Sequence, residues 1–256
     1  MAALKNRLQR VLSEILVSVK KVMMRQSNEE FFPRTVQRPR LVVTVWDSTV
    51  GKKIVMAVTG AIGVGYLIGH VAGNLLVFRG PAKIDAYAAF LKSNPGLLWT
   101  ARAILLLAVI LHIIAAFQLA RMSQKSRPVA YKRWRAVGSD FASRTMRWTG
   151  PIIGIFIVYH LLHFTTGTIH PDFREGQVYH NVITGLRVWY ISAFYIVAML
   201  ALLAHLYHGA WSMFQSLGLN HPKYNPLVRV LATIVTVVVV IGFISIPVTV
   251  LLGFIS

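Results

Sequence analysis

Cysteine is absent from the 256 residues. That excludes disulfides, iron–sulfur clusters held by this chain, thiolate-bound haem and covalently attached c-type haem. Any redox metal must be held by nitrogen, oxygen or methionine. Charge is scarce as well: charged residues make up 14% of the chain, against about a quarter in a soluble domain. Hydrophobic residues reach 55%, and mean hydropathy is +0.59. A disordered chain, a collagen-like fibre and an ordinary cytosolic enzyme are all excluded. The composition is that of a membrane protein. Acidic residues are the scarcest charge, 8 against 27 Lys and Arg, giving a net charge of +19. The basic residues fall in blocks between apolar segments, as topology signals do, so no nucleic acid partner is expected. No cleavable signal peptide is expected either, because the first 53 residues lack a compact apolar run before a small-residue site.

Along 4–24, Leu4, Leu8, Val11, Leu12, Ile15, Leu16, Val19, Val22 and Met23 form one apolar stripe, with Lys5, Arg7, Arg10, Lys20 and Lys21 largely elsewhere. This predicts a basic amphipathic helix, lying in the membrane interface or docking a soluble partner, within a cytoplasmic region 1–47. Pro33 and Pro39 break the chain after it. The expected fold is all-α and membrane-integral, occupying 48–256. Spans are expected at about 54–78, 99–123, 148–169, 188–217 and 228–254, each near the roughly 20 residues needed to cross. Pro247 is expected to kink the last span, which looks like packing material.

Lys and Arg number eleven up to Lys53, eight in 121–147 (including Lys132, Arg133 and Arg135), three in 79–98, two in 170–187 and two in 218–229. The positive-inside rule then predicts a multi-pass protein with a cytoplasmic N-terminus and an outside C-terminus.

Histidine carries the functional signal. His70, His112, His160 and His205 stand in the middle of four successive spans, and each is costly in lipid unless paired or ligated. His163 and His208 lie one turn beyond two of them, whereas His170, His180 and His221 lie in loops and receive no role. An internal echo tightens the pattern. Met56–Thr59–Gly60–His70 and Met146–Thr149–Gly150–His160 share the spacing M-x2-T-G-x9-H, and His112/Ala116 is echoed by His205/Gly209. Spans one and two therefore read as a unit duplicated in spans three and four. A shared Thr–Gly by itself reads as helix packing through small residues.

Counting residues from the span ends puts His70 and His160 in the outer half of the membrane. His112 and His205 fall some ~10 Å nearer the cytoplasm. Two opposed imidazoles at one depth suit a low-spin iron ligated on both sides, so the expectation is a four-helix core holding two stacked b-type haems. Gly69, Gly73, Ala116 and Gly209 would leave room for a flat ring. The repeat spacing selects His160, and depth with the following small residue selects His205. His163 and His208 stay open as alternative ligands, or as contacts to haem propionates, a quinone or a neighbouring carbonyl.

The segments GKKIVMAVTG (51–60), HVAGNL (70–75), MRWTGPIIGIFIVYHLLHF (146–164) and HLYHGAWSMFQSLG (205–218) resemble the b558-type diheme cytochrome b membrane subunit of succinate dehydrogenases and fumarate reductases. The likeness covers about 48–225. It implies axial pairing of His70 with His160 and of His112 with His205, and its H-x3-G-x-W-S pattern falls on His205, Gly209, Trp211 and Ser212. It also implies a complex II-type assembly of the respiratory chain and tricarboxylic acid cycle in the cell inner (cytoplasmic) membrane. There an FAD-containing flavoprotein performs the dicarboxylate chemistry and an iron–sulfur subunit exchanges electrons with this anchor. Menaquinone or another quinone is the electron partner, and higher oligomers of the complex are compatible with it. Quinone contacts are expected among Trp46, Lys52, Arg144 and Trp148 on the cytoplasmic side and Asn74, Arg79 and His163 on the outer side. Competing expectations are a cytochrome b of another membrane dehydrogenase, of the hydrogenase or formate dehydrogenase type, and a non-redox transporter with a histidine-lined path.

Overall fold

The computed structural model describes Ser13, Glu14, Val17 and residues 45–126 and 139–256. The chain divides into two compact units, Met1–Val43 and Thr44–Ser256. In the first, Ser13, Glu14 and Val17 are helical and exposed; the rest of the amphipathic stretch and both prolines lie outside the described residues. So do Lys132, Arg133 and Arg135 of the basic connection.

The second unit is all-α, with no strand among the described residues. Its helices are α1 (Thr49–Asn74), α2 (Pro81–Lys92), α3 (Pro95–Lys125), α4 (Phe141–His160), α5 (Val178–Arg187), α6 (Trp189–Ser216) and α7 (Asn225–Leu251). Their starts are written in local chemistry. Ser48, Asn94 and Asp140 accept from the N–H groups of Gly51, Leu97 and Ser143, satisfying first-turn donors of α1, α3 and α4. Pro81 and Pro95 open α2 and α3, where a missing N–H costs nothing. A 3-10 segment, Leu75–Arg79, prolongs α1 until Gly80, whose φ of 86° lies in the region that favours glycine. A π turn, Leu161–Thr165, prolongs α4, closed by Thr166 N–H donating to the Leu161 carbonyl.

Five segments are long and apolar enough to cross a membrane: Thr49–Arg79, Pro95–Lys125, Phe141–Thr165, Trp189–Ser216 and Asn225–Leu251. Leu106, Leu107 and Phe117 on α3 are each more than half exposed, which is tenable against lipid rather than water. With lipid on the outside, apolar burial does not drive the helices together, and close approach must do so. Small residues provide it. Ala108 and Ala115 are the buried positions of α3, which packs on α1. At Gly242 of α7 a Cβ would stand 2.6 Å from Val71 of α1, so this position admits glycine alone without a shift. α6 packs against α1, α4 and α7, with Ala198, Met199 and Leu202 in its buried face. Pro247 lies inside α7 without ending it, and the helix serves as packing against α6 and α1.

The stretches 79–98 and 170–187, expected as loops, each contain a helix. α2 and α5 pack on one another and close one end of the bundle over Val77, Ile84, Val182, Ile183 and Leu186. At 12 and 10 residues they are too short to span.

Candidate functional site

The four mid-span histidines form two couples. The rings of His70 on α1 and His160 on α4 have centroids 5.8 Å apart, at 85° to each other. Those of His112 on α3 and His205 on α6 are 6.3 Å apart, at 57°. Neither α1 with α4 nor α3 with α6 is among the packed helix pairs, so each couple reaches across a gap between backbones. Along α1, His70 lies 11 residues beyond Thr59, which touches His112, and on α4 His160 lies 11 beyond Thr149, which touches His205. At 1.5 Å per residue the two levels are about 16 Å apart. This exceeds the ~10 Å expected from counting along the spans.

Separation and tautomer both bear on whether these couples fit a bis-imidazole iron. A metal–imidazole bond of about 2 Å, with about 1 Å from each nitrogen to its ring centre, puts two trans centroids about 6 Å apart. Both couples match that figure, and the interplanar angle is free because rings rotate about the nitrogen–metal axis. At His112, Nδ1 lies 3.1 Å from the Met56 carbonyl and 3.1 Å from Thr59 Oγ1. A carbonyl can only accept, so Nδ1 carries the proton and Nε2 of the neutral ring keeps its lone pair. Thr59 uses its own proton on the Val55 carbonyl at 2.7 Å, so its oxygen also accepts. His205 has the threonine contact without the carbonyl. Its Nδ1 lies 3.3 Å from Thr149 Oγ1, which donates to the Thr145 carbonyl at 3.2 Å.

The other couple is supported differently. Tyr195 Oη stands 3.4 Å from His160 Nδ1 and 2.9 Å from His163 Nδ1. One phenol proton serves one of them, and donation to the nearer His163 leaves the oxygen to accept from His160. His70 Nδ1 is met by the Asn74 amide nitrogen at 3.3 Å and by Tyr66 Oη at 3.5 Å, and of these only the Tyr66 oxygen can accept. His70 also stacks on Tyr66 and His160 on Phe156.

The doublet partners are placed elsewhere. His163, in the π turn, is fully buried against Tyr195, His170 and Gly185, with Nε2 lacking a hydrogen-bond partner. His208 Nδ1 lies 3.9 Å from Asp140 at the start of α4. The rings that meet His70 and His112 are those of His160 and His205.

Among the glycines expected to make room, Gly69 and Gly209 have no atom within 4 Å of where a Cβ would stand. Gly73 differs: its Cβ would be 2.6 Å from Tyr87, so it admits that ring of α2 and offers no space for another group. Among the expected quinone contacts, Lys52 is buried, donates to the Trp46 carbonyl, and lies 5.8 Å from the Trp46 ring centroid. Arg144, Trp148 and Arg79 are exposed, and Asn74 donates to the His70 carbonyl at 2.7 Å.

Thr59, Thr149, the Met56 carbonyl and Tyr195 were not among the expected site residues. The signal for the threonines was present in the M-x2-T-G echo, but their partners stand 53 and 56 residues away and appear only on folding. A protein-only metal site needs three or more donors, and among the described residues no such group of His, Asp or Glu occurs. Two donors per level suit a metal that brings its other ligands with it, as a porphyrin iron does. The residues present therefore fit a haem at each level. Comparison with protein-family models, with curated proteins and with solved structures finds no match.

Proposed function

We propose that the chain is the diheme cytochrome b anchor of a succinate:quinone oxidoreductase or fumarate reductase, carrying electrons between an iron–sulfur subunit and membrane quinone. The supporting observation is the pair of imidazole couples at 5.8 and 6.3 Å, two levels deep in a lipid-facing bundle. In this reading His70 and His160 hold one b-type haem, and His112 and His205 the other. Bound there, haem supplies reversible one-electron transfer. The protein's own part is to hold the imidazoles neutral and oriented, and to keep water out with apolar helix faces. The spans contain no Asp or Glu, so this chain offers no carboxylate path for protons across the membrane. The basic end would face the cytoplasm and receive the flavoprotein and iron–sulfur subunits, where the dicarboxylate chemistry resides; menaquinone is the favoured quinone.

The test is a reduced-minus-oxidised spectrum of the purified chain with a haem count, joined to identification of copurifying subunits. Two b-type haems per chain, with a flavoprotein and an iron–sulfur protein in the complex, are expected. A colourless preparation overturns the haem assignment. Two haems copurifying with a different dehydrogenase overturn the succinate or fumarate assignment.

A further inference from the structure

The Thr–Gly of each repeat lies against the histidine of the next span, a relation that helix packing alone does not require. Thr59 Oγ1 is 3.1 Å from His112 Nδ1, and Thr149 Oγ1 is 3.3 Å from His205 Nδ1. The neighbouring glycines follow suit: a Cβ at Gly60 would stand 3.5 Å from His112 Cε1, and one at Gly150 would stand 4.0 Å from His205 Cε1. Both threonines are buried, and both direct their own proton to a carbonyl of the preceding turn. Each therefore offers the imidazole an oxygen lone pair in a setting without water to replace it.

We propose that Thr59 and Thr149 are paired positioning residues for a single haem, each fixing the tautomer and rotation of the imidazole it faces so that both Nε2 atoms turn into the same gap. The proposal rests on the haem reading above and adds a division of labour to it. The motif supports the His112–His205 couple, although the histidine within the motif belongs to the other level. A hydrogen bond to the far nitrogen of a ligating imidazole sets ring orientation and ligand basicity, and its loss alters the metal's properties more than its occupancy. Valine is close to threonine in shape but gives Nδ1–H no acceptor. His112 has a second acceptor in the Met56 carbonyl, so Thr59→Val is the milder of the two substitutions.

The experiment uses the full chain purified in detergent as wild type, Thr59→Val, Thr149→Val, the two Thr→Ser variants and His112→Ala as the reference for haem identity. Haem content, potentiometric titration of the α-band and low-spin EPR are the readouts. Expected are two haems in every variant, with a shifted midpoint and a moved EPR signal confined to one haem. That haem is the same in both valine variants, and it is the one lost in His112→Ala. Serine returns both readouts toward wild type. Two haems with unchanged titrations in both valine variants overturn the proposal and leave the haem reading standing, as do shifts falling on different haems. A wild-type chain without haem overturns both.

Discussion

Asp85 on α2 accepts a hydrogen bond from the backbone N–H of Tyr179, in the first turn of α5, at 2.9 Å across 94 residues of chain. The residue preceding α5, Gln177, makes no side-chain cap, so a carboxylate from another helix satisfies that donor. Negative charge at a helix N-terminus is also favourable. Asp85→Ala should remove about 1 kcal/mol. It should lower the thermal midpoint of the purified protein while leaving haem content unchanged, and Asp85→Asn should recover part of the loss. An unchanged midpoint would show that the bond contributes nothing measurable.

On the haem reading proposed above, replacing His70 or His160 by Ala should cost one and the same haem, and replacing His112 or His205 should cost the other. His208→Ala should keep both, because its ring lies toward Asp140 instead of His112. Haem counts on the five variants check this. If His208→Ala lost a haem that His205→Ala retained, the second couple would be misassigned.

Gly185 is predicted to tolerate no side chain. A Cβ there would stand 2.8 Å from His163 Cε1 and 2.8 Å from His170 Nε2. Neither ring can retreat easily: His170 Nε2 is bonded to the Asn181 carbonyl at 2.8 Å, and His163 is fully buried. Gly185→Ala should cost about 1–3 kcal/mol by overpacking. Gly65→Ala, with nothing within 4 Å, is the matched control and should melt no lower than wild type.

Asp140 caps α4, and the backbone N–H of Ser143 at 2.7 Å, followed by that residue's side chain, holds its carboxyl below the ordinary aspartate range. With the folded value depressed, the cap's electrostatic contribution is complete above the ordinary range and is lost as pH falls through the folded value. Acidification below that range should therefore lower the melting midpoint of wild type more than that of Asp140→Asn. Parallel acid curves for the two proteins would refute this.

The spans were legible because stretches of more than twenty mostly apolar residues admit one reading in lipid, and depth along them set the expected histidine pairing. What sequence spacing could not supply was the partner of each polar group. Gly73 looked like room for a flat ring until Tyr87 of an unanticipated helix proved to fill it. Thr59 and Thr149 looked like packing residues because the groups they serve lie on other spans. Tyr195, in an aromatic-rich stretch of α6, became visible only through its contacts with His160 and His163. α5 carries a clear amphipathic pattern, with Val182, Ile183 and Leu186 on its buried side, but at ten residues it is short enough to be taken for part of a loop; α2 is the more weakly patterned of the two.

Each helical hairpin, α1 with α3 and α4 with α6, contributes one imidazole to each couple and one threonine beneath the second. Neither hairpin completes a couple alone, yet two copies of one hairpin would complete both. The two halves are nonetheless not interchangeable, for Tyr195 supports His160 where Tyr66 and Asn74 attend His70, so the first couple is where the repeat has diverged.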